Sequence, residues 1–158
     1  MLLEKIIARV LKRTKKTLCT AESCTGGLIS HRLTNIPGSS KFFIGAIIAY
    51  SNEIKASLLK IPRKTIENYG AVSKQTAILM SKRARKIFKS DFALSVTGIA
   101  GPSGGSKEKP VGLAFISFSS ALKTICEKHI FKGSRLEIKK QAADAALNLL
   151  IKNINTHA

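Results

Sequence analysis

The chain has 158 residues, of which 44% are hydrophobic; this is enough for one domain with a buried core and excludes a disordered tail. Lys and Arg number 27 against 9 Asp and Glu, a net charge of +18, which attracts polyanions without by itself defining a nucleic-acid binder. No apolar stretch reaches the roughly 20 residues of a membrane helix, and Cys19, Cys24 and Cys126 form no C-x-x-C pair. We therefore expect no membrane segment and a reducing, cytoplasmic compartment.

The first third of the chain predicts a helix, a strand, a tight turn and a second helix. Apolar residues three and four apart predict an amphipathic helix over residues 2–11, and the charges of Glu4 and Lys5 within it argue against a signal peptide. The elements that follow are a short strand at 17–21, a turn at 22–27 and a helix at 28–33.

The rest of the chain continues the alternation of strands and helices. The continuous apolar run at 45–50 predicts a buried strand. Asn52 is predicted to cap a short helix through Leu59, and Ser73 a longer helix over 73–89. The remaining elements are strands at 92–96, 111–119 and 124–131 and a last helix from Ser134. This order predicts an α/β fold, a single layered domain over 1–158 with a mixed β-sheet flanked by helices.

A serine stands in the turn after the first predicted strand, in the segment AESCTGG at 21–27. Ser23 would project from the carboxyl end of that strand. Backbone N–H groups near Thr25, Gly26 and Gly27 would then face a developing oxyanion or a phosphate. The alternative is that Ser23 only caps the next helix and the glycines only turn the chain. The motif alone leaves both interpretations open.

A serine nucleophile needs a base, and the segment YSNEIK at 50–55 offers a candidate. Lys55 can act as that base if burial lowers its pKa toward neutrality, with Tyr50 relaying or orienting the proton. The alternatives are a solvated helical lysine and a core tyrosine. The histidines are expected on a helix surface, in a late strand and in the terminal tail, and so offer little support for a histidine base: His31, His129 and His157.

A glycine-rich loop, TGIAGPSGG at 97–105, follows the strand at 92–96. It can form a backbone-lined cradle for an anion, although it matches neither a P-loop nor a dinucleotide-binding fingerprint. A flexible surface loop is the alternative. The candidate binding residues in it are Thr97, Gly98, Gly101, Gly104 and Gly105.

Arg135, near the start of the last predicted helix, is a candidate clamp for a phosphate or carboxylate, or else a surface residue. The histidines and cysteines lack the spacing of metal ligands, and acidic residues are scarce. We therefore predict no metal site and no cofactor.

Taken together, these segments resemble the CinA C-terminal domain family, the nicotinamide-nucleotide amidohydrolases also called PncC. The matching segments are AESCTGG (21–27), YSNEIK (50–55), GAVS (70–73), TGIAGPSGG (97–105) and KPVGLAF (109–115). Their order and spacing also match, and the resemblance covers nearly the whole chain, as expected of a stand-alone form without the large N-terminal domain of full-length CinA. Ser134 departs from the pattern, because the family often has an acidic residue just before the arginine.

The resemblance implies hydrolysis of nicotinamide mononucleotide to nicotinic acid mononucleotide and ammonia, without a metal. It implies that Ser23 is the nucleophile, Lys55 the base and Tyr50 a supporting residue. It also implies that the ligand binds at Thr97, Gly98 and the glycines after them, and at Arg135, and that the protein is a homodimer.

Two other classes of function stay open. The charge of +18 and the basic clusters at 12–16 and 82–89 suggest a nucleic-acid-associated protein, but no aromatic platform interleaves with them, so a solvated basic surface is favoured. The second class is a nucleotide-binding module that has lost catalysis. A related amide substrate is also compatible with the motifs.

Overall fold

The computed structural model describes residues 2–154 and places one five-stranded sheet between two layers of helices. The strands are β1 (Leu18–Glu22), β2 (Phe43–Ile48), β3 (Phe92–Gly98), β4 (Leu113–Ser119) and β5 (Thr124–Ile130). The helices are α1 (Leu3–Thr14), α2 (Leu28–Thr34), α3 (Asn52–Ser57), α4 (Arg63–Tyr69), α5 (Lys74–Phe88) and α6 (Arg135–Ile154), with a short 3-10 helix at Ser39–Lys41. The predicted fold class is confirmed.

The strand order is β2-β1-β3-β4-β5. β1 pairs in parallel with β2 on one side and β3 on the other, whereas β4 and β5 extend the sheet antiparallel. The chain therefore leaves β1 first toward β2 and later crosses to the opposite side for β3. In α/β sheets, such a reversal opens a crevice beyond the carboxyl ends of the strands, where ligands bind.

Two cores of different character cover the faces of the sheet. On one face, large side chains such as Leu18, Leu94 and Phe118 pack under α1, α2 and α6. On the other face, Ala21 and Ala93 pack with Met80 of α5. Successive strand residues point to opposite faces, so β1 serves both cores. The small residues of the second core let α5 lie close to the sheet, where it contacts β1, β3 and β4.

The strand predicted as buried at 45–50 is β2, which begins two residues earlier and lies at the edge of the sheet. Its Ile44 and Ile48 are 48% and 43% exposed. The prediction of burial was wrong because an apolar run indicates a strand but not how many neighbours it has. β2 pairs only with β1, and this leaves one edge and part of one face uncovered.

Local capping accounts for two of the helices. Ser73 caps α5 as predicted, since its Oγ accepts a hydrogen bond from the Thr76 N–H at 3.2 Å. The cap of α3 is Ser51, whose Oγ accepts from Ile54 N–H at 3.1 Å, and not Asn52. Helix α4 was not predicted, because it is short and buries no residue fully. Within residues 2–154, none of the helices has both the length and the apolar character that crossing a bilayer requires.

Candidate active site

The carboxyl ends of the three parallel strands meet around a cavity of about 160 Å³. Ser23 follows β1, Lys55 lies on α3 after β2, and Thr97 stands near the end of β3. The fold thus joins three segments that are far apart in sequence. The cavity is lined by Ser23, Cys24, Tyr50, Asn52, Lys55, Ala71, Val72, Thr97, Gly98, Ala100 and Arg135.

The turn that carries Ser23 is held by the buried carboxylate of Glu22, the last residue of β1. One oxygen accepts hydrogen bonds from Thr25 Oγ1 at 2.7 Å and from the Gly27 and Ile29 N–H groups at 3.1 Å. The other accepts from Ser30 N–H at 2.9 Å and from its hydroxyl. Glu22 therefore satisfies the amino end of α2, where a negative charge is favourable.

These hydrogen bonds show that Ser23 does not cap α2. The residue at the start of α2 is Gly27, and no side chain there acts as a conventional cap. Ser23 donates its backbone N–H to Val96 O at 3.0 Å, which fixes the turn against β3. Its hydroxyl is in contact with Lys55 instead of a helix amide. Sequence reasoning missed Glu22, although a carboxylate ending an apolar strand is an unusual enough feature to have marked it.

Lys55 is buried, with 1% of its surface exposed. Its Nζ lies 3.0 Å from Ser23 Oγ, 2.7 Å from Ala49 O and 3.1 Å from Tyr50 O. Among residues 2–154 no carboxylate forms an ion pair with it. Burial disfavours the charged form and lowers the pKa of Lys55 to about 8, with a smaller opposing effect of Cys24.

The three neighbours of Lys55 suit both of its protonation states. As an ammonium, Lys55 donates one N–H to each of the three oxygens. As a neutral amine, it has two N–H groups for the two backbone carbonyls and one lone pair, which is left for the Ser23 hydroxyl. Removal of one proton thus turns Lys55 from a donor to Ser23 into an acceptor without moving either side chain.

Cys24 is the other potential nucleophile in the cavity. Its side chain is buried, and desolvation raises the pKa of its thiol to about 11, against a smaller lowering by its own backbone amide and by Lys55. At neutral pH the group is a thiol and not a thiolate, and the thiolate is the reactive form. The raised pKa of the Cys24 thiol, together with the contact between Lys55 and Ser23, therefore favours the Ser23 hydroxyl as the nucleophile.

The glycine amides of the turn are already engaged. Gly26 N–H donates to Ser23 O at 3.0 Å, and Gly27 N–H donates to Glu22. Neither amide is thus directed at a ligand, contrary to the role expected for them as oxyanion donors. Cys24, the residue after Ser23, lines the cavity. Its amide, which also interacts with its own thiol, stands at the position where nucleophile turns commonly place an oxyanion donor.

Tyr50 and Arg135 meet at the mouth of the cavity. Arg135 Nη2 donates to Tyr50 Oη at 3.0 Å, and Nη1 donates to Gly101 O at 2.6 Å. Tyr50 contacts Lys55 through its backbone carbonyl and not through its hydroxyl. The tyrosine is 60% exposed, so it is not a core residue. The arginine thus joins α6, the β2–α3 turn and the glycine loop around one opening.

The start of α6 forms a capping box. Ser134 donates its backbone N–H and its hydroxyl to Glu137 Oε2, each at 2.7 Å, and Glu137 N–H donates to Ser134 Oγ at 3.4 Å. These hydrogen bonds from Ser134 lower the pKa of Glu137. The carboxylate of Glu137 is thus held against residue 134, whereas Arg135 donates to Gly101 and Tyr50.

Only part of the predicted glycine cradle lines the cavity. Thr97 donates its hydroxyl to Ala71 O at 2.8 Å. Gly98 lies where a Cβ would be 2.7 Å from Leu113 O, so a side chain has no room there. Arg135 also lines the cavity, but six of the predicted binding residues do not: Thr25, Gly26, Gly27, Gly101, Gly104 and Gly105. Of these, Gly104 and Gly105 are exposed in the loop.

A second cation, which sequence reasoning missed, stands near the mouth. Lys139 is one helical turn after Arg135 on α6, and its Nζ lies 3.6 Å from the position that a Cβ on Gly26 would occupy. The histidines lie elsewhere: His31 is exposed on α2, His129 contacts Glu127, and His157 is outside the described residues. Within residues 2–154 no three or more His, Cys, Asp or Glu side chains form a group that could hold a metal ion.

The fold and the site define an α/β protein with a serine and a buried lysine at the switch point of a mixed sheet. Residues 2–154 match the family model of the CinA C-terminal domain, and the chain belongs to this family.

Known relatives agree with this assignment. The chain is 46% identical over 152 residues to a CinA-like protein of Endomicrobium trichonymphae and 45% identical over 148 residues to one of Sulfurihydrogenibium. These alignments cover 96% and 94% of the chain but 36% and 37% of those proteins, so the chain spans little more than a third of the curated relatives it matches.

Solved structures agree in fold. The competence/damage inducible protein CihA of Agrobacterium tumefaciens is 37% identical with a TM-score of 0.92, covering 97% of this chain and 95% of that one. The competence damage-inducible protein A of Klebsiella pneumoniae is 28% identical with a TM-score of 0.94 and the same coverages.

Proposed function

We propose that this chain is a serine–lysine amidohydrolase that converts nicotinamide mononucleotide to nicotinic acid mononucleotide and ammonia. The observation that supports this most is the contact of 3.0 Å between the buried side chains of Lys55 and Ser23, Nζ to Oγ, at the cavity. A second support is the lowered pKa of Lys55, about 8, which makes a neutral amine accessible near physiological pH. The substrate comes from the motif resemblance.

In the proposed reaction, neutral Lys55 takes the proton of the Ser23 hydroxyl as Oγ attacks the carboxamide carbon. The carbonyl oxygen becomes an oxyanion, for which the Cys24 amide is the nearest donor in sequence. Lys55 then returns the proton to the amide nitrogen, the C–N bond breaks, and ammonia leaves an ester on Ser23. Lys55 next removes a proton from water, whose oxygen attacks the ester carbon. Cleavage of the ester bond and return of the proton regenerate Ser23 and release the acid.

The size of the cavity fits the reacting end of this substrate. At about 160 Å³ it is smaller than the roughly 300 Å³ of pockets that enclose a complete drug-sized ligand. The pyridine ring and its carboxamide would occupy it, and the ribose phosphate would lie along the mouth. Arg135 and Lys139, one turn apart on α6, supply positive charge there. The proposed phosphate site therefore lies outside the cavity proper.

The test is ammonia release from nicotinamide mononucleotide by the purified protein, beside nicotinamide riboside and free nicotinamide. We expect turnover of the mononucleotide and a kcat/KM at least about tenfold lower for the riboside, because the phosphate no longer meets the cations at the mouth. Equal kcat/KM values for mononucleotide and riboside would contradict the phosphate site. No ammonia from any of the three would contradict the proposed reaction and favour a binding module.

A further inference from the structure

A second groove, larger than the Ser23 cavity, lies elsewhere on the molecule. It has a volume of about 880 Å³ and lies between the carboxyl-terminal half of α5 and the turn that joins β4 to β5, and we name it the α5 groove. Its lining residues are Leu79, Lys82, Arg83, Arg85, Lys86, Lys89, Ser90, Ser119, Ser120, Ala121, Leu122, Lys123 and Thr124. Six of these thirteen side chains are cationic and none is acidic, so the groove is a site for an anion.

The six cations have no internal counter-charge. In the part of the chain that the structure describes, no carboxylate forms an ion pair with Lys82, Arg83, Arg85, Lys86, Lys89 or Lys123. Five of them follow each other over residues 82–89, a length of about 10 Å along the helix. Like charges so close together repel one another. A polyanion lying along the groove would relieve this repulsion.

Arg85 provides a second, independent observation. Its Nε is buried and has no hydrogen-bond partner among residues 2–154. Without a local acceptor, the Arg85 guanidinium keeps a positive charge that no neighbouring carboxylate of residues 2–154 offsets, and an anion in the groove would stabilise it. The hydroxyls of the opposite wall are already engaged, since Ser119 Oγ pairs with Thr124 Oγ1 at 3.3 Å and Ser120 Oγ donates to Lys123 O at 3.3 Å. The donors that the groove offers to a ligand are therefore those of its Lys and Arg side chains. The groove therefore combines long-range charge with short-range donors.

The α5 groove lies at the opposite end of the sheet from the proposed active site. Ser90 precedes β3, and Ser119 pairs with Ala93 near the start of that strand. Thr97, in contrast, is near the end of β3, beside the Ser23 cavity. The seven residues of β3 extend over about 20 Å. The cations of the groove are thus not part of the site that would bind the mononucleotide.

We propose that the α5 groove binds the phosphate backbone of double-stranded nucleic acid without reading base sequence. No aromatic side chain lines the groove, so stacking on the bases of a single strand is not available. A duplex presents a charge every ~1.7 Å, twice the density of either strand along its axis. The sequence shows clusters of Lys and Arg, but only the fold places those of α5 opposite the β4–β5 turn.

The test is fluorescence anisotropy with a labelled DNA duplex of about 20 base pairs, titrated between about 0.05 and 0.3 M salt. The variant is Lys82→Glu/Lys86→Glu, whose side chains are exposed on α5. The matched control is Lys5→Glu/Lys140→Glu, also exposed on helices but outside the groove, with the same change in net charge. Unchanged thermal melting of both variants verifies the fold independently of any deamidase activity.

If all six cations contact phosphates, log K falls with log salt with a slope of about −5. We expect the groove variant to reduce the steepness by about 2 and to weaken binding at ~0.1 M salt by at least about tenfold, and the control by no more than about twofold. Duplexes of different sequence should bind alike and more tightly than a single strand of equal length. Equal losses in the two variants, preference for the single strand, or binding of inorganic triphosphate without binding of DNA would each overturn the proposal.

Discussion

At the scale of single residues, Lys55 is the group on which the proposed chemistry depends. Its side chain lies in the interior, where its neighbours are two backbone carbonyls and one hydroxyl, and no carboxylate of residues 2–154 pairs with it. A buried lysine that served only structure would be expected to pair with an acid, because an unpaired buried charge is costly. Burying Lys55 without an acidic partner costs less free energy when its amine is neutral. The neutral amine is also the state that a general base requires.

The pH dependence of activity should therefore follow Lys55. With its pKa lowered to about 8, kcat/KM should rise with pH through that region and level off above it, since the neutral amine is the active form. Lys55→Arg should lose activity by at least about a thousandfold, because arginine stays protonated. Steady-state rates between pH 6 and 10 provide the measurement, and a wild-type profile flat across about pH 8 would contradict a lysine base.

The same pKa predicts a pH dependence of stability. The folded pKa of about 8 lies below the ordinary lysine value of 10.5, so the unfolded chain binds more protons between these two values. The contribution of Lys55 to the free energy of unfolding should accordingly rise with pH from about 8 to 10.5. The measurement is the free energy of unfolding in urea, for the wild type and for Lys55→Met, at several pH values in this window. The difference between the two proteins at each pH gives the contribution of Lys55. Parallel curves for the two proteins would show that Lys55 is not shifted.

We expect substitutions of Tyr50 and Arg135 to affect different kinetic constants. Tyr50→Phe leaves the carbonyl that accepts from Lys55 in place and removes only the hydrogen bond to Arg135, so we expect kcat to fall by no more than about threefold. Arg135→Lys loses the two-pronged contact and should raise KM for the mononucleotide by about tenfold. Steady-state kinetics test both, and a collapse of kcat in Tyr50→Phe would instead support a proton relay through its hydroxyl.

At the scale of elements, the turn between β1 and α2 depends on Glu22. Glu22→Gln replaces one acceptor oxygen by an NH₂ group that faces other donors, although the side chain keeps its size. We expect a loss of about 2–3 kcal/mol in the free energy of unfolding, measured with urea. Ser30→Ala, which removes one donor to the same carboxylate, should cost about 1 kcal/mol. Equal stability of Glu22→Gln and wild type would show that the carboxylate does not hold the turn.

The elements also show how far sequence reasoning could reach. Strands and helices were predictable because their apolar spacing is local, and the motifs alone indicated Ser23, Lys55 and Arg135 as site residues. The edge position of β2 was not predictable, because it depends on pairing with strands far along the chain. Helix α4 is too short to show a clear apolar spacing, and Ser51 and Asn52 are adjacent residues that are both favourable caps. The same holds for the site. The roles of Glu22 and Lys139 and the hydrogen bonds of the Gly26 and Gly27 amides depend on the packing of β1, α2 and α6, which local sequence patterns do not show.

At the scale of the whole molecule, the two proposed sites lie at opposite ends of the sheet. The proposed active site lies beyond the carboxyl ends of β1–β3, and the α5 groove lies at the other end. The two edge strands are β2, with its exposed Ile44, and β5. On β2 the exposed apolar residues Ile44 and Ile48 lie on the same strand. An exposed apolar edge strand commonly marks a surface for association. It thus offers a surface for the homodimer that the motif resemblance implies.

We accordingly expect the wild type to sediment as a dimer and Ile44→Lys to sediment as a monomer, because a charge on this edge opposes its burial. Leu136→Lys, which changes another exposed apolar residue to lysine on α6, is the control and should remain dimeric. Sedimentation equilibrium provides the measurement. A wild-type monomer, or a dimer that survives Ile44→Lys, would place the association of this chain elsewhere or exclude it.

The proposed reaction is tested most directly by ammonia release from nicotinamide mononucleotide by the wild type, Ser23→Ala, Lys55→Ala and Cys24→Ala, each verified as folded. We expect Ser23→Ala and Lys55→Ala to lose activity by at least about a thousandfold, and Cys24→Ala to retain most of it because its thiol stays protonated. Full activity in folded Ser23→Ala, or its loss only in Cys24→Ala, would contradict a reaction carried out by Ser23 and Lys55.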